Sequence, residues 1–353
     1  MTPQTLFQHP ADEQAGDVAS RDVPNGADRL PDISTIIVSF NTRELLRECL
    51  ATLGRETANL AHETIVVDNA SRDGSAEMVA AEFPAVRLIR STTNLGFAAA
   101  NNHGFGVARG RYVILLNSDA FPRPEAIRRA LELMEAHPEV GLGGGRLVGR
   151  DDSWQPSARM FPSLFNDLLM VSGLAARYPR SRILGRADRT WADPLEPAAT
   201  DWLPGAFVII RREVLERVGW FDERFFLYSE EIDLCRRIKA AGYQIWYWPQ
   251  IVVVHLGGES SKTVERAQMS KAGSQLTLWR MRSQLLYCRK HHGAFGAWGV
   301  ATLEIWWNRL RAWRNGILSR DADKVRESRV TISLMKQAWR ETRGGAISPA
   351  RPW

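Results

Sequence analysis

The sequence predicts an α/β fold built on a doubly wound, mostly parallel sheet. Between residues 33 and 116, four short apolar runs alternate with stretches of helical periodicity. This spacing is typical of βαβ units and a parallel sheet. The fourth run, Val113 to Leu116, is apolar throughout and leads into Asn117-Ser118-Asp119. A continuous apolar run that ends in turn residues indicates a strand buried on both faces.

Composition excludes several classes of protein. The chain has 353 residues, of which 44% are hydrophobic, so it can bury a large core. Its three cysteines, Cys49, Cys235 and Cys288, form no CxxC pair, which argues against a disulfide framework or a zinc site. No apolar run approaches the ~20 residues of a transmembrane helix, and the acidic N-terminus is unlike a signal peptide. We therefore expect a cytoplasmic protein.

The chain divides into three parts. Residues 1–31 are polar and aperiodic, which predicts a disordered leader. Residues 32–258 carry the strand and helix patterns and should form the globular body. Periodicity is poor within the body from about 150 to 200, which predicts a long loop that either contacts a ligand or only packs. Residues 259–353 should form a basic, tryptophan-rich helical region.

The elements of the first half follow in order. The first strand starts at Ile33 and ends at Asn41, and a helix with apolar residues at helical spacing starts near Thr42. A second strand, Thr64 to Asp68, ends in a turn-rich loop that leads into another helix. A third strand, Val86 to Ile89, precedes Asn94-Leu-Gly96-Phe97 and a further helix.

Polar side chains follow the first, second and fourth strands, namely Ser39 and Asn41, then Asp68, then Asp119. Open α/β sheets bind ligands beyond the carboxyl ends of their strands. Neither the dinucleotide-binding glycine fingerprint nor a phosphate-binding GxxxxGK[ST] loop is present. Carboxylates suit a divalent cation carrying a nucleotide diphosphate, although Asp119 could instead cap the next helix.

The second half contains three notable segments. Residues 138–149, rich in glycine, predict a strand and loop near the edge of the sheet, and residues 201–210 predict a turn and a buried strand. A helix should start at Ser229, a natural N-cap, and it carries three acids in its first turn: Glu230, Glu231 and Asp233. A strand then ends at His255. Such a histidine is more often structural than a ligand.

Four segments resemble the motifs of family 2 glycosyltransferases with the GT-A fold, most closely the bacterial rhamnosyltransferase-like branch. They are Ile-Ile-Val-Ser-Phe-Asn (36–41), Ile-Val-Val-Asp-Asn-Ala-Ser-Arg-Asp-Gly-Ser (65–75), Asn-Leu-Gly-Phe-Ala-Ala-Ala-Asn-Asn (94–102) and Leu-Leu-Asn-Ser-Asp-Ala (115–120). The resemblance extends over roughly residues 33–258. It implies that 32–258 is a GT-A catalytic domain and that 150–200 is an acceptor-side loop.

The resemblance also implies roles for particular residues. The expected contacts to the nucleotide-sugar are Ser39, Asn41, Asp68, Asn94, Gly96, Asn117 and Asp119. It places a divalent cation, Mg²⁺ or Mn²⁺, on Asp119 and His255. It places Trp202, Gly205 and Ala206 beside the donor sugar or the acceptor. The expected general base is Glu231, with Glu230 as the alternative and Asp233 as a supporting acid or a bond to the turn. Two positions depart from the family pattern: Asn117 and Glu231 each replace an aspartate.

The function implied is inverting, metal-dependent transfer of a sugar to a saccharide or a polyprenyl-linked acceptor in cell-surface polysaccharide biosynthesis. The branch resemblance favours dTDP-L-rhamnose as donor, and UDP-sugars remain open. The two departures leave a second hypothesis, a sugar-nucleotide-binding protein without activity.

The tail carries the basic charge. From Leu256 to Trp353 there are 18 Lys or Arg against 7 Asp or Glu, and 7 of the 13 tryptophans. A helix is expected from about Thr277 to Ile317, with one stripe at helical spacing formed by Trp298, Thr302, Trp306, Leu310, Trp313 and Ile317, and with Arg311 and Arg314 off it. The helix either packs on the body or lies on the inner face of an anionic membrane. Nucleic-acid binding is disfavoured, because no known binding module accompanies the charge.

Overall fold

A computed structural model describes residues 30–257, 272–319 and 321–350. The predicted leader lies outside the described residues apart from its last two positions. The strands are β1 (Ile33–Ser39), β2 (His62–Asp68), β3 (Arg87–Arg90), β4 (Tyr112–Leu116), β5 (Ala120–Pro122), β6 (Val140–Val148), β7 (Trp154–Gln155), β8 (Ala198–Ala199), β9 (Phe207–Arg211) and β10 (Gln244–His255). The helices are α1 (Arg43–Thr57), α2 (Ser75–Glu82), α3 (Phe97–Phe105), α4 (Ala126–Ala136), α5 (Leu164–Val171), α6 (Leu174–Arg177), α7 (Arg212–Val218), α8 (Glu230–Ala240), α9 (Ala272–Arg314) and α10 (Ala322–Glu341).

The strands form one sheet in the order β3-β2-β1-β4-β9-β6-β10-β5, with β7 paired to β6 and β8 to β10. The first four strands of this order are parallel, as predicted from their continuous apolar runs. Beyond β4 the pairing is mixed: β9 runs antiparallel to both of its neighbours, whereas β6 and β10 are parallel. The predicted α/β class is confirmed, and the carboxyl ends of β1, β2 and β4 lie at one edge of the sheet.

Helices cover both faces of this sheet. The apolar stripe of α1, which includes Leu46, Leu50 and Leu53, is buried with α2 and α4 in one core cluster. Helices α3, α7 and α8 contribute to the cluster on the other face. Burial of each large aliphatic side chain stabilises the fold by about 1.5–3 kcal/mol. The two clusters hold the loops at the carboxyl ends of the strands on a rigid scaffold.

The glycine-rich strand β6 lies inside the sheet, between β9 and β10. The strand predicted at 138–149 is confirmed as β6, but its predicted position near the sheet edge is wrong. The glycines are needed because neighbours approach the backbone closely: a Cβ on Gly143 would lie 2.1 Å from the Trp248 ring, and one on Gly145 would lie 2.3 Å from the Ile251 carbonyl oxygen. The glycines thus make room for the bulky residues of β10.

The C-terminal region is a helical hairpin formed by α9 and α10. Its start packs on the body: Ser283 Oγ donates to the Leu227 carbonyl at 2.7 Å, and the Arg236 guanidinium donates to the Tyr287 hydroxyl at 3.0 Å. Gly293 interrupts α9 with φ 71° and ψ −171°. The predicted packing of a tail helix on the body therefore holds for the part of α9 before Gly293. Beyond Gly293 the helix also packs on α5, where a Cβ on Gly299 would lie 3.1 Å from the Leu164 side chain.

The tryptophan stripe lies beyond Gly293 and faces solvent. Its large apolar members are between 50% and 63% exposed, namely Trp298, Trp306, Leu310, Trp313 and Ile317. Thr302, the remaining member, is partly buried. Among the described residues, no helix is both long and apolar enough to cross a membrane.

Candidate active site

The ends of β1 and β2 form one polar corner. Ser39 is buried and its Oγ lies 3.1 Å from Thr42 Oγ1, which donates to Ser118 Oγ at 2.9 Å. Asp68 Oδ2 accepts a hydrogen bond from the Ser71 amide at 3.1 Å. Its Oδ1 is buried and has no hydrogen-bond partner among the described residues. Burial raises the pKa of Asp68, against the hydrogen bonds from Ser71. An unpartnered buried carboxylate oxygen is suited to accept from a ligand donor.

Asn41 and Asn94 hold the neighbouring loops in place. Asn41 adopts φ 54°, and its side-chain oxygen accepts from the Arg72 amide at 2.7 Å. Asn94 Oδ1 accepts from Asn69 Nδ2 and from the Gly96 amide, both at 2.9 Å. The acceptor oxygen of Asn94 is therefore already used within the chain. Asn69, which sequence reasoning did not single out, joins the loop after β2 to the loop after β3.

Gly96 lies where two loops meet. It adopts φ 82°, and a Cβ at this position would lie 2.2 Å from the Phe226 carbonyl oxygen. That carbonyl accepts from the Phe97 amide at 2.8 Å. The close approach explains why glycine is required here. It also joins the loop after β3 to the segment that leads into α8.

Asp119 and His255 lie side by side, as predicted. Ala120 pairs with His255 across β5 and β10, and this register puts His255 Nε2 3.6 Å from Asp119 Oδ1. Asn117 Nδ2 lies 3.5 Å from the same ring nitrogen. Burial lowers the pKa of His255 more than the Asp119 charge raises it, so the neutral imidazole is favoured.

Gln155, at the end of β7, orients this histidine. Its amide nitrogen donates to the His255 carbonyl at 2.8 Å, which leaves its Oε1 to accept from His255 Nδ1 at 3.1 Å. The hydrogen bond assigns the proton to Nδ1 and leaves the lone pair of Nε2 for a ligand, an arrangement found around metal-bound histidines. Sequence reasoning missed Gln155, because β7 reaches His255 only through the pairing of β7 and β10 with β6.

The donor set of Asp119 and His255 fits a divalent cation. A carboxylate and a neutral imidazole are ordinary ligands of Mn²⁺, and the carboxylate suits Mg²⁺. Within the described residues, no cluster of three or more His, Cys, Asp or Glu could hold a metal. A cation here would take its other ligands from diphosphate oxygens and water.

The segment around Gly205 and Ala206 connects the strand end that carries Asn117 and Asp119 to the loop that carries Gly96 and Phe97. The Asn117 amide donates to the Ala206 carbonyl at 3.1 Å, and a Cβ on Gly205 would lie 3.3 Å from the Phe97 ring. Trp202 is buried, and its indole nitrogen donates to the Met160 carbonyl at 2.9 Å. The structure therefore brings Ala206 to Asn117 and Gly205 to the loop of Gly96, close to the strand ends.

The start of α8 presents the two candidate catalytic carboxyls. Glu230 is buried and Glu231 is partly buried, and an oxygen of each is buried without a hydrogen-bond partner among the described residues. Burial raises the pKa of both carboxyls, and the neighbouring Glu231 raises that of Glu230 further. Acids whose pKa is raised by burial are typical of functional sites.

Ser229 precedes α8, as expected, but it does not cap the helix. Its side chain makes no capping hydrogen bond, because the residue adopts φ 70° instead of the extended conformation that a capping serine needs. Tyr228 is also left-handed, at φ 72°. Two consecutive non-glycine residues in this region store strain next to the candidate base.

Arg159 is a further residue of the site that sequence reasoning missed. Its guanidinium lies 5.1 Å from the centre of a Trp202 ring, and Nε lies 3.4 Å from Asp188 Oδ1. Its charge lowers the pKa of Glu231, in part offsetting the effect of burial. Arg159 therefore favours the carboxylate form of Glu231, the form that a base requires.

Asp233 faces away from these acids, into a group of cations. Its Oδ1 lies 2.6 Å from Lys290 Nζ and 2.7 Å from His291 Nε2, and its Oδ2 accepts from Arg237 at 2.9 Å. The sequence predicts a supporting acid or a bond to the turn here, whereas in the structure Asp233 links α8 to the C-terminal region. Lys290 and His291 are far from Asp233 in sequence, so no local pattern indicates them.

Comparisons with known proteins show the family and the fold of the chain. The family model of glycosyl transferase family 2 matches residues 34–219, more than half of the chain. The chain is 30% identical over 234 residues to N-acetylglucosaminyl-diphospho-decaprenol L-rhamnosyltransferase of Mycobacterium tuberculosis, covering 63% of this chain and 75% of the relative. It is 33% identical over 87 residues to rhamnosyltransferase WbbL of Escherichia coli K12, covering 25% and 30% of the two chains.

A solved structure has a similar fold, that of mannosyltransferase PcManGT from Pyrobaculum calidifontis in complex with GDP-Man and Mn²⁺. The TM-score is 0.53 at 18% identity, over 90% of this chain and 88% of that one. At this identity the similarity concerns the fold. Fold and site together define a glycosyltransferase with the GT-A fold. The chain belongs to glycosyl transferase family 2.

Proposed function

We propose that this glycosyltransferase transfers a sugar from a nucleotide-sugar to a hydroxyl of a saccharide or polyprenyl-linked acceptor, with inversion and with a divalent cation. The supporting observation is a series of contacts between the segment of Asp119 and the segment that leads to Glu231. The Asn117 amide donates to the Ala206 carbonyl, Gly205 lies close to the Phe97 ring, and the Phe97 amide donates to the Phe226 carbonyl, just before α8. These contacts support the proposal that the binding and proton-accepting groups border one cleft.

The donor would lie across the carboxyl ends of β1, β2 and β4. The unpartnered Asp68 Oδ1 would accept a hydrogen bond from the nucleoside, and Asp119 and His255 would hold the divalent cation at the diphosphate. The cation, when bound, supplies positive charge to the departing nucleoside diphosphate. Glu231 would take the proton of the attacking acceptor hydroxyl, and Arg159 would help to keep it ionised beforehand.

L-rhamnose from dTDP-L-rhamnose is the donor we propose, because both relatives described above are named as rhamnosyltransferases. The relative from M. tuberculosis is also named for a sugar linked through a diphosphate to decaprenol. A polyprenyl-linked acceptor would bring this enzyme to a membrane surface. UDP-sugars are the competing donors.

The exposed stripe on α9 supports such a surface location. Trp306 and Trp313 are 63% and 60% exposed, and Arg309, Arg311 and Arg314 lie between or next to them. Tryptophan at headgroup depth together with arginine near anionic lipid is the pattern of an interfacial helix. We propose that α9 beyond Gly293 lies on the inner face of the plasma membrane.

The test of the activity is thermal unfolding with a panel of nucleotides, each with and without Mn²⁺ or Mg²⁺. A ligand at ~100 times its Kd should add ~2.7 kcal/mol to the free energy of unfolding. A metal-dependent shift with dTDP and a smaller one with UDP supports the rhamnosyl donor, and the reverse favours UDP-sugars. No shift with any nucleotide contradicts the proposal. Nucleotide binding without metal-dependent donor hydrolysis favours an inactive binding protein.

A further inference from the structure

A pocket of about 360 Å³ lies between the segment from Trp154 to Ala198 and Tyr247 of β10. It is lined by three aromatic residues, Trp154, Trp191 and Tyr247, and by three arginines, Arg180, Arg182 and Arg189. The sheet holds its wall in place. Ala198 pairs with Tyr247, and the Tyr247 hydroxyl donates to the Pro194 carbonyl at 2.7 Å. The pocket is therefore formed by the folded chain before a ligand binds.

Two links connect this pocket to the reacting groups, one through the sequence and one through an ion pair. Trp154 of its lining precedes Gln155, the residue that orients His255. Asp188, also in the lining, pairs with Arg159, whose charge acts on Glu231. One wall thus leads to the candidate metal ligands and another leads to the candidate base. A molecule in the pocket could extend a hydroxyl toward Glu231 while the donor occupies the strand ends.

The lining has the chemistry of a site for an anionic saccharide. Indole and phenol rings offer flat apolar surfaces to the C–H face of a sugar ring, and guanidinium groups pair with phosphate oxygens. The guanidinium groups of Arg182 and Arg189 lie 5.0 and 5.7 Å from the centre of a Trp191 ring. Arg189 Nε is buried and has no hydrogen-bond partner among the described residues.

The carboxylates of the lining do not cancel this preference. Asp188 is paired with Arg159, and Asp193 Oδ1 accepts from the Leu195 amide at 2.8 Å. Glu196 is the third carboxylate of a lining that also holds three arginines. We infer that this pocket binds the sugar-phosphate end of the acceptor, a glycosyl phosphate or diphosphate. The inference rests on the proposed function, because it needs the donor at the strand ends.

The test uses the whole chain, saturated with Mn²⁺ and with the nucleotide that stabilises it, so that the donor site is filled. Tryptophan fluorescence is titrated with N-acetylglucosamine 1-phosphate, with its neutral methyl glycoside and with inorganic phosphate. The inference predicts saturable binding of the sugar phosphate and at least tenfold weaker binding of the other two. Trp191→Ala and Arg182→Ala should each weaken sugar-phosphate binding about tenfold or more, since burial of an aromatic face and a charged hydrogen bond each contribute that much.

Trp220→Ala and Arg128→Ala are the matched controls, because both residues are exposed and lie outside the lining. They should leave sugar-phosphate binding unchanged, and all four variants should bind nucleotide like the wild type. No saturable binding, equal binding of the methyl glycoside, or unchanged binding in both pocket variants overturns the inference. Loss of nucleotide binding in the wild type would instead remove the proposed function. Farnesyl-diphospho-N-acetylglucosamine distinguishes a lipid-linked acceptor from a soluble one. If it binds more tightly than the sugar phosphate, the acceptor is lipid-linked; if the two bind equally, the acceptor is soluble.

Discussion

Asp233 on α8 accepts a hydrogen bond from His291 on α9 at 2.7 Å, across 58 positions of sequence. Burial alone would raise the pKa of Asp233, but the hydrogen bonds from His291 and Lys290 and the charge of Arg237 hold it below the usual range. The helix that begins with the candidate base is therefore fixed from behind by the C-terminal region.

Asp233→Asn should lower the free energy of unfolding by roughly 3 kcal/mol at pH 7, because it leaves partly buried cations without their counter-charge. Since the folded-state pKa is lowered, the carboxylate stabilises the fold above the ordinary pKa of 3.8, and this contribution is lost as pH falls through the folded value. Urea unfolding from pH 7 to pH 3 measures the difference. Asp323→Asn, in an exposed pair with Arg326, is the control and should change little. Equal stability of Asp233→Asn and wild type at pH 7 would contradict this prediction.

Glu231→Gln should abolish transfer while donor binding stays near the wild-type value, because the amide cannot accept the acceptor proton. In the wild type, kcat/KM should fall as pH drops through the raised pKa of Glu231, so the acidic limb should lie above the usual 4.5 of a glutamate. Glu231→Asp should keep part of the activity, since aspartate is the residue expected there from the family resemblance. Substantial turnover in Glu231→Gln together with its loss in Glu230→Gln would transfer the role to Glu230.

Gln155→Leu should weaken binding of Mn²⁺, measured with bound nucleotide, by about tenfold or more, because the imidazole loses the hydrogen bond that orients it. Asp119→Asn and His255→Ala should have larger effects, as each removes a proposed ligand. Isothermal titration calorimetry measures the metal affinity. Gln244→Ala changes an exposed residue at the start of the same strand as His255 and should leave the affinity unchanged. Wild-type affinity in Asp119→Asn and His255→Ala would exclude this site.

Asp167→Asn should stabilise the protein at neutral pH. Burial, and to a lesser degree the nearby Glu304 carboxyl, raise the pKa of Asp167 to about 7. The unfolded chain loses this proton near pH 3.8, so stability falls as pH rises from about 4 to about 7. The variant should gain up to about 3 kcal/mol at pH 8 and much less at pH 4. Urea unfolding at pH 4 and pH 8 measures the change in the free energy of unfolding, with the exposed Glu44→Gln as control. An equal change at both pH values would show that titration of Asp167 is not its cause.

The double substitution Trp306→Ser, Trp313→Ser should reduce partition into anionic liposomes by roughly tenfold or more, because two large apolar side chains no longer enter the interface. Added salt should weaken the remaining binding, which depends on arginine. Co-flotation at low and high salt measures both effects. Trp220→Ser, on the body, is the control. Flotation that is absent at low salt, or equal in wild type and double variant, would remove the membrane proposal.

The elements of the structure that are determined by the local sequence pattern could be predicted. Strands β1, β2 and β4 were predicted because a strand buried on both faces needs an unbroken apolar run. The position of Asp68 and Asp119 at the same edge of the sheet follows, since the carboxyl ends of parallel strands lie at one edge. The family resemblance, not periodicity, led to His255 and Glu231, because nothing in the spacing separates these residues from a structural histidine or an ordinary helix start.

The remainder depends on contacts between distant segments. Gln155 and Arg159 come from the aperiodic stretch after β6, and Lys290 and His291 come from a helix with its own amphipathic pattern. The interior position of β6 was missed because glycine has low strand propensity. That propensity is overridden by the space needed for Trp248 and by the Ile251 carbonyl. The left-handed conformation of Ser229 has no signal in the residue type.

The interruption of α9 at Gly293 has a geometric consequence. The segment of α9 before this residue contacts α8 and the loop that precedes it. The segment after it carries the exposed tryptophans. One backbone conformation, φ 71° and ψ −171°, therefore sets the tilt between the two segments. If the second segment lies flat on a bilayer, this tilt determines how high above the lipid the catalytic cleft opens. The conformation of Gly293 would then match the height of the cleft above the lipid to the distance between the membrane and the sugar of a lipid-linked acceptor.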